Sequence, residues 1–253
     1  MRALFPGLLL LAAAPAGAQR LPYEDVLGAP ERLRYDEVAV ASEAGPVSEF
    51  YGDRFEYQPA SGGDAYSWDV SAEFGSERHR LWLASAGDGV FGGGLQYVEG
   101  QALYSHPILE QGLALQIGVR RDFVRPRRSY AVVGVQGNVS EPLYLGAFAF
   151  VSTRNELSFR AFAYYDWEPV TRVVVQPYAA AEAIAADAPA LGVGRGPTEL
   201  ELGLRLRYRI AEPFAPYVGV RYDRLLGRTA RIAREAGDDV DATSLVLGLR
   251  SYF

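Results

Sequence analysis

The chain has 253 residues and carries 25 basic side chains, every one an Arg, against 31 acidic ones, a formal charge of −6. An acidic chain with no basic stripe does not suit a nucleic-acid partner, and the absence of Cys excludes a disulfide scaffold, a thiolate metal site and a cysteine nucleophile. A mean hydropathy near zero, with 12 Phe, 16 Tyr and 3 Trp, fits a barrel that turns every second residue to lipid and rings its two interfaces with aromatics.

Residues 1–18 read as a cleaved secretory signal peptide: Arg2, an apolar stretch from Leu8 to Ala14, then Ala16-Gly17-Ala18, small residues suited to cleavage before Gln19. The apolar stretch falls short of the ~20 residues that a spanning helix needs. Cleavage removes Arg2, leaving 24 − 31 = −7, and also removes Met1, the chain's single Met. Residues 19–47 mix Pro, Glu, Arg and Ala without a sustained period and read as a largely unstructured periplasmic segment.

Residues 48–253 read as an all-β domain, a transmembrane antiparallel up-and-down β-barrel. Period-2 stretches alternate with short turn-rich breaks. Trp68, Val70, Ala72 and Phe74 oppose Asp69, Ser71 and Glu73; Leu113, Leu115, Ile117 and Val119 oppose Gln116 and Arg120; Leu157, Phe159, Ala161, Ala163, Tyr165 and Trp167 oppose Arg160 and Asp166. The cleanest is TELELGLRLRYRI at 198–210, with Leu200, Leu202, Leu204, Leu206, Tyr208 and Ile210 on one face and Glu199, Glu201, Arg205, Arg207 and Arg209 on the other. It is longer than the mean soluble strand and long enough for the ~9–11 tilted residues of a membrane strand. The last strand places Leu245, Leu247, Leu249 and Phe253 on its lipid face, the signal for a barrel-assembly machine. The pattern predicts strands near 49–58, 65–75, 79–86, 93–104, 111–123, 129–138, 142–152, 156–167, 171–184, 199–210, 214–225 and 242–253. Twelve is the even count with both ends in the periplasm, and ten is the alternative. Short turns at 140–142, 168–170 and 211–213 then lie in the periplasm, and 125–128, 185–197 and 227–241 lie outside as loops. The address is the outer membrane of a Gram-negative cell, with its lipid as the surrounding partner.

Several segments in this order resemble the CopB/PcoB family of outer-membrane copper-resistance proteins. They are Asp53-Arg54-Phe55-Glu56, Trp68-Asp69, Arg80-Leu81-Trp82-Leu83, Leu103-Tyr104-Ser105, LQIGVRRDFVRP at 115–126, Gly134-Val135-Gln136-Gly137, Val175-Gln176-Pro177, LELGLRLRYRI at 200–210, FAPYVGV at 214–220, and Gly227 with Thr229-Ala230. The resemblance implies a barrel acting in copper tolerance, binding copper ions or passing them across the outer membrane, with a periplasmic multicopper oxidase as partner. The chain departs from the family pattern in one respect. Members often carry a Met- and His-rich segment before the barrel, and residues 19–47 contain neither.

Copper(I) favours sulfur and copper(II) favours imidazole with some oxygen, so the candidate metal ligands are His79, His106, Asp69, Glu73, Glu99 and Glu201. A hairpin centred near Phe91 puts His79 opposite residue 102 or 103, on the order of 10–13 Å from His106 at ~3.3 Å per residue. On that register the two imidazoles do not share a metal unless the turn after Tyr104 folds back. The carboxylates Asp69, Glu73, Glu99, Glu182, Glu199, Glu201 and Asp223 should point inward together with Arg120, Arg160, Arg205, Arg207, Arg209 and Arg221. They form either a cation path gated by arginines or a lumen filled by paired charges, since an unpaired buried charge is costly. Asp238, Asp239 and Asp241 add oxygen ligands to the last outer loop. Neighbours on a strand point to opposite faces, so Ser105 and His106 form a dyad only within a turn, and a non-enzymatic chain is expected. The functional alternative is a small-solute channel or structural barrel of the same fold without the copper role.

Overall fold

The computed structural model describes residues 47–60, 63–109, 112–211 and 213–253. The signal peptide and nearly all of the segment 19–47 lie outside the described residues. The strands are β1 (Val47–Gln58), β2 (Ala65–Gly75), β3 (Arg80–Val90), β4 (Gly94–Pro107), β5 (Ala114–Asp122), β6 (Ser129–Ser140) and β7 (Leu143–Ser152), followed by β8 (Leu157–Tyr165), β9 (Trp167–Val170), β10 (Val173–Ile184), β11 (Gly196–Tyr208), β12 (Phe214–Leu225) and β13 (Asp241–Tyr252). The short β9 continues β8 past Asp166, since β10 pairs with both. Twelve staves therefore cross, each antiparallel to its sequence neighbour, and β13 pairs with β1 to close the barrel. Phe50 and Phe253 exchange two backbone hydrogen bonds of 2.8 and 2.9 Å at that seam. Closure removes the unpaired strand edges, the condition for β-structure in a hydrocarbon solvent.

Alternation sets the two faces. Leu202, Leu204, Leu206, Val218, Val220, Leu245 and Leu247 are exposed on the outside, where lipid replaces water, while Glu201, Arg207, Arg221 and Val246 of the same strands are buried in the lumen. Among the described residues no helix is long and apolar enough to cross a membrane; the closed barrel with its apolar outer face makes the crossing. The ring of Phe253 meets those of Phe50 and Phe214, with centroids at 6.4 and 5.6 Å, in an aromatic belt at the short-turn end. An arginine at Leu204, mid-strand on the lipid face, should cost about 2–4 kcal/mol. Urea unfolding of Leu204→Arg in lipid vesicles checks this; an unshifted midpoint would contradict the assignment of the outer face.

The lumen wall from β6 to β8 is aromatic, with Tyr130, Phe148, Phe150, Tyr144 and Phe162 buried there. Glycine makes room for these rings: a Cβ at Gly134 would stand 2.2 Å from Phe148, and one at Gly203 would stand 2.0 Å from Tyr178. Most of the other strands, and β8 itself through Arg160, contribute charged side chains to the rest of the lumen.

Two expectations change. Residues 227–241 were expected as an open outer loop, but Gly227–Ala236 forms a helix, α1, stopped by Gly237 at φ 85°. Thr229 and Ala230 are its buried residues, and the Thr229 hydroxyl accepts the Gly194 amide at 3.1 Å, tying α1 to the loop between β10 and β11. The β3–β4 hairpin also turns elsewhere than expected. Its pairing Val90↔Gly94 centres the turn on Gly92, and a bulge between Gly89↔Leu95 and Asp88↔Tyr97 leaves Gln96 as an extra residue. Together these slide β4 by three positions, so that Arg80 faces Ser105 and His79 lies beside His106.

Candidate functional site

Two ion-pair clusters occupy the charged side of the lumen. In the first, Glu99 on β4 receives Arg120 Nε at 2.8 Å and Arg160 Nη1 at 3.2 Å, with Gln101 donating at 2.6 Å and the Tyr97 hydroxyl also donating. Arg120 continues to Asp122 at 2.9 Å and Arg160 to Glu182 at 2.8 Å. Both guanidinium groups lie against the Phe150 ring, at 5.1 and 5.4 Å. In the second, Glu56 on β1 receives Arg205 Nη2 at 2.9 Å and the Tyr217 hydroxyl at 2.9 Å, with Arg54 and Arg221 at 4.0 and 3.9 Å. Arg205 is held over the rings of Tyr178 and Tyr217, at 4.2 and 5.4 Å. Asp69 lies within electrostatic reach of Arg54 and Arg160, which links the clusters.

These contacts join strands far apart in the chain, Glu99 to Arg160 and Glu56 to Arg205, and they cross-brace the barrel from inside. A buried charge is tolerated only when paired and hydrogen-bonded, and this requirement explains most of the lumen. It does not cover β11. Both carboxylate oxygens of Glu201 and Oε2 of Glu199 meet no hydrogen-bond donor among the described residues, although Glu201 lies 3.9 Å from Arg54. Their neighbours add like charge: Glu199 sits directly opposite Glu182 on β10, and Glu201 directly opposite Asp223 on β12. Carboxylates facing one another across a strand pair destabilise it. Asp88 on β3 has the same character: it is buried, its Oδ1 meets no donor, and it lies within reach of Arg221 and Arg54.

Of the carboxylates expected as ligands, Asp69, Glu73, Glu99 and Glu201 are all buried in the lumen, but they are not gathered. Glu73 pairs with Arg80 at 2.8 Å toward the short-turn end, and Glu99 is saturated by arginines. Among the described residues no three His, Asp or Glu side chains converge on one metal position. Asp69, Glu73, Glu99 and Glu201 therefore stand as separate positions along an interior and form no cage. The expected inward arginines are all found in ion pairs with lumen or rim carboxylates, Arg207 with Asp166 at 3.0 Å and Arg209 with Glu168 among them. Sequence reasoning missed Arg54, Glu56, Asp88 and Tyr97. A register shift between Gly52 and Arg54 reverses the parity of β1, so period 2 fails there and hides Arg54 and Glu56.

The histidines behave differently from expectation. Their rings stand 5.5 Å apart, centroid to centroid, against the separation of on the order of 10–13 Å inferred from a rise of ~3.3 Å per residue. The cause is the register described above, and the turn after Tyr104 does not need to fold back. Both lie on the outer face of the barrel rim. Ser105 sits between them in sequence but is buried inside, where its hydroxyl accepts Gln116 Nε2 at 3.4 Å, so Ser105 and His106 on β4 point to opposite faces and form no dyad.

A family model described as copper resistance protein B precursor (CopB) matches residues 47–253. The copper resistance protein B homolog of Pseudomonas syringae pv. tomato is 36% identical over 208 residues, covering 81% of this chain and 70% of the relative. Copper resistance protein B of Escherichia coli is 34% identical over 203 residues, covering 79% and 68%. Among solved structures, the NanC porin superposes with a TM-score of 0.52 at 14% identity, over 81% of this chain and 99% of its own. The KdgM porin in complex with disordered oligogalacturonate gives 0.51 at 14% identity, over 82% and 99%. At that identity the likeness to the porins is one of fold.

Proposed function

This chain belongs to the copper resistance protein B family, and we propose that its outer-membrane barrel serves copper resistance by binding copper ions weakly in the lumen and passing them across the membrane. The observation that carries this reading is the pair Glu199 and Glu201, neighbouring inward carboxylates of one strand that are buried without hydrogen-bond donors among the described residues, in a lumen where most charges are paired. Such groups cost stability and are retained where a cation is to be met. A hard oxygen set attracts copper(II) more than copper(I), and separated carboxylates hold an ion loosely enough for it to leave.

Weak, stepwise occupancy also agrees with the lack of a three-ligand cage among the described residues. The periplasmic face is where a multicopper oxidase would take over the ion as partner. The arginine clusters favour a second reading, a structural barrel or small-solute channel without a copper role. Copper tolerance of a strain lacking this chain separates the two. On the copper reading tolerance falls, the intact chain restores it, and Glu199→Gln/Glu201→Gln restores it poorly. Unchanged tolerance in the deletion strain would favour the structural barrel.

A further inference from the structure

The two histidine rings stand side by side on the outer face of the rim, at a separation compatible with a shared metal ion. A metal–nitrogen bond of about 2.0–2.1 Å plus the ring radius puts each imidazole centroid about 3.2 Å from a shared ion, and a tetrahedral to trigonal ligand angle then separates the centroids by about 5.2–5.5 Å. The observed separation is 5.5 Å, with ring planes at 35°. The hydrogen bonds fix the rings for that purpose. His106 Nδ1 lies 2.7 Å from the carbonyl oxygen of Arg78. A carbonyl only accepts, so Nδ1 carries a proton, and in the neutral ring Nε2 is the nitrogen with the lone pair. His79 Nδ1 is bonded to the Tyr104 hydroxyl, which can accept from Nδ1–H in the same way. An imidazole whose second nitrogen is committed to a carbonyl or hydroxyl is the usual form of a metal-ligating histidine.

The backbone under the pair is fixed as well. His79 ends a tight turn in which its amide donates to the Ser76 hydroxyl at 3.2 Å and its carbonyl accepts the Ser76 amide at 2.9 Å. His106 is held in the ladder between β4 and β5 opposite Leu115. Tyr104 stacks beside both, with centroids at 5.9 and 6.5 Å.

We propose that His79 and His106, braced by Tyr104 and the Arg78 carbonyl, form a two-imidazole site for a divalent transition-metal ion on the outer face of the short-turn rim, separate from the lumen. By the Irving–Williams order two imidazoles hold copper(II) more tightly than zinc(II) or nickel(II), and the right-angled geometry that copper(II) favours would draw the two rings together to about 4.5 Å, with water completing the shell. That copper is the ion met in the cell rests on the function proposed above; the site's geometry does not.

The test is electron paramagnetic resonance of copper(II) added at one equivalent to the full barrel in detergent, prepared without a polyhistidine tag. The expected spectrum shows superhyperfine coupling from two imidazole nitrogens. Both His79→Ala and His106→Ala should lose the two-nitrogen pattern while keeping the heat-dependent gel mobility of a folded barrel, since neither ring is buried. Tyr104→Phe should keep the pattern and weaken binding by about tenfold or more, as removal of an orienting partner does. An oxygen-only spectrum in the wild type, or a two-nitrogen pattern surviving in the alanine variants, overturns the proposal in favour of two ordinary histidines in the aromatic belt. The spectrum reads the rim and does not depend on passage of copper through the lumen, so a failed flux measurement leaves the result standing.

Discussion

Glu99→Ala should destabilise the barrel by about 3–5 kcal/mol, the cost of breaking a buried pair and leaving the partner charge behind. Glu99 is 1% exposed and is the point at which Arg120 and Arg160 meet. Without it, each guanidinium keeps one carboxylate, Asp122 and Glu182 respectively, but the two cations lose the anion between them and press on one another beside Phe150. Tyr97 and Gln101 lose their acceptor in the same step. Glu99→Gln retains an amide oxygen for these donors and should cost less than Glu99→Ala. Urea titration of barrels refolded in vesicles reads both variants. Wild-type stability in Glu99→Ala would mean that the cluster is not a brace.

The carboxylates of β11 should respond in the opposite direction. Glu199→Gln/Glu201→Gln removes like charge facing Glu182 and Asp223, and relief of such a pair is worth roughly 0.2–1 kcal/mol each. The variant should therefore be as stable as the wild type or more so. Copper(II) passage, in contrast, should fall to the level of protein-free vesicles, because these carboxylates have no donor to compete with a passing cation. Loss of function without loss of stability would distinguish these two groups from Glu99 and Glu56, whose removal weakens the scaffold first. A variant that lost stability and passage together would place Glu199 and Glu201 among the braces.

The fold was legible wherever period 2 runs unbroken. From Glu199 to Ile210 every second residue is apolar and the intervening ones, Gly203 apart, are charged, and the strand, its lipid face and the inward positions of Glu201, Arg205 and Arg207 all follow from that alternation. The even strand count and closure follow from the physics of a lipid solvent. Three features were not legible, each for a local reason. The shift at Gly52 to Arg54 hides the inward set of β1, because a bulge exchanges the faces. The turn at Gly92 and the extra residue Gln96 are each small, but side-chain partners depend on register to the residue, and together they bring His79 to His106. Helix α1 lies in a segment bracketed by Gly227 and Gly237 and ending in acidic residues, which reads as a loop until Ala230 finds packing.

The charged site was half legible. Alternation identifies which carboxylates and arginines enter the lumen, since it is a property of one strand. Their partners come from strands that sequence spacing does not relate, so that Glu99 with Arg160 and Glu56 with Arg205 could be read only from the closed barrel. The same holds for Glu199 and Glu201: that they point inward is sequence information, and that no donor reaches them is not.

Copper(II) entry into vesicles that trap a copper-sensitive dye, with the purified barrel reconstituted in their membrane, should be measured for the wild type beside Glu199→Gln/Glu201→Gln. Saturable entry through the wild type and background entry through the variant is the predicted result. Equal entry through both, or entry through neither above protein-free vesicles, would contradict a lumen that passes copper.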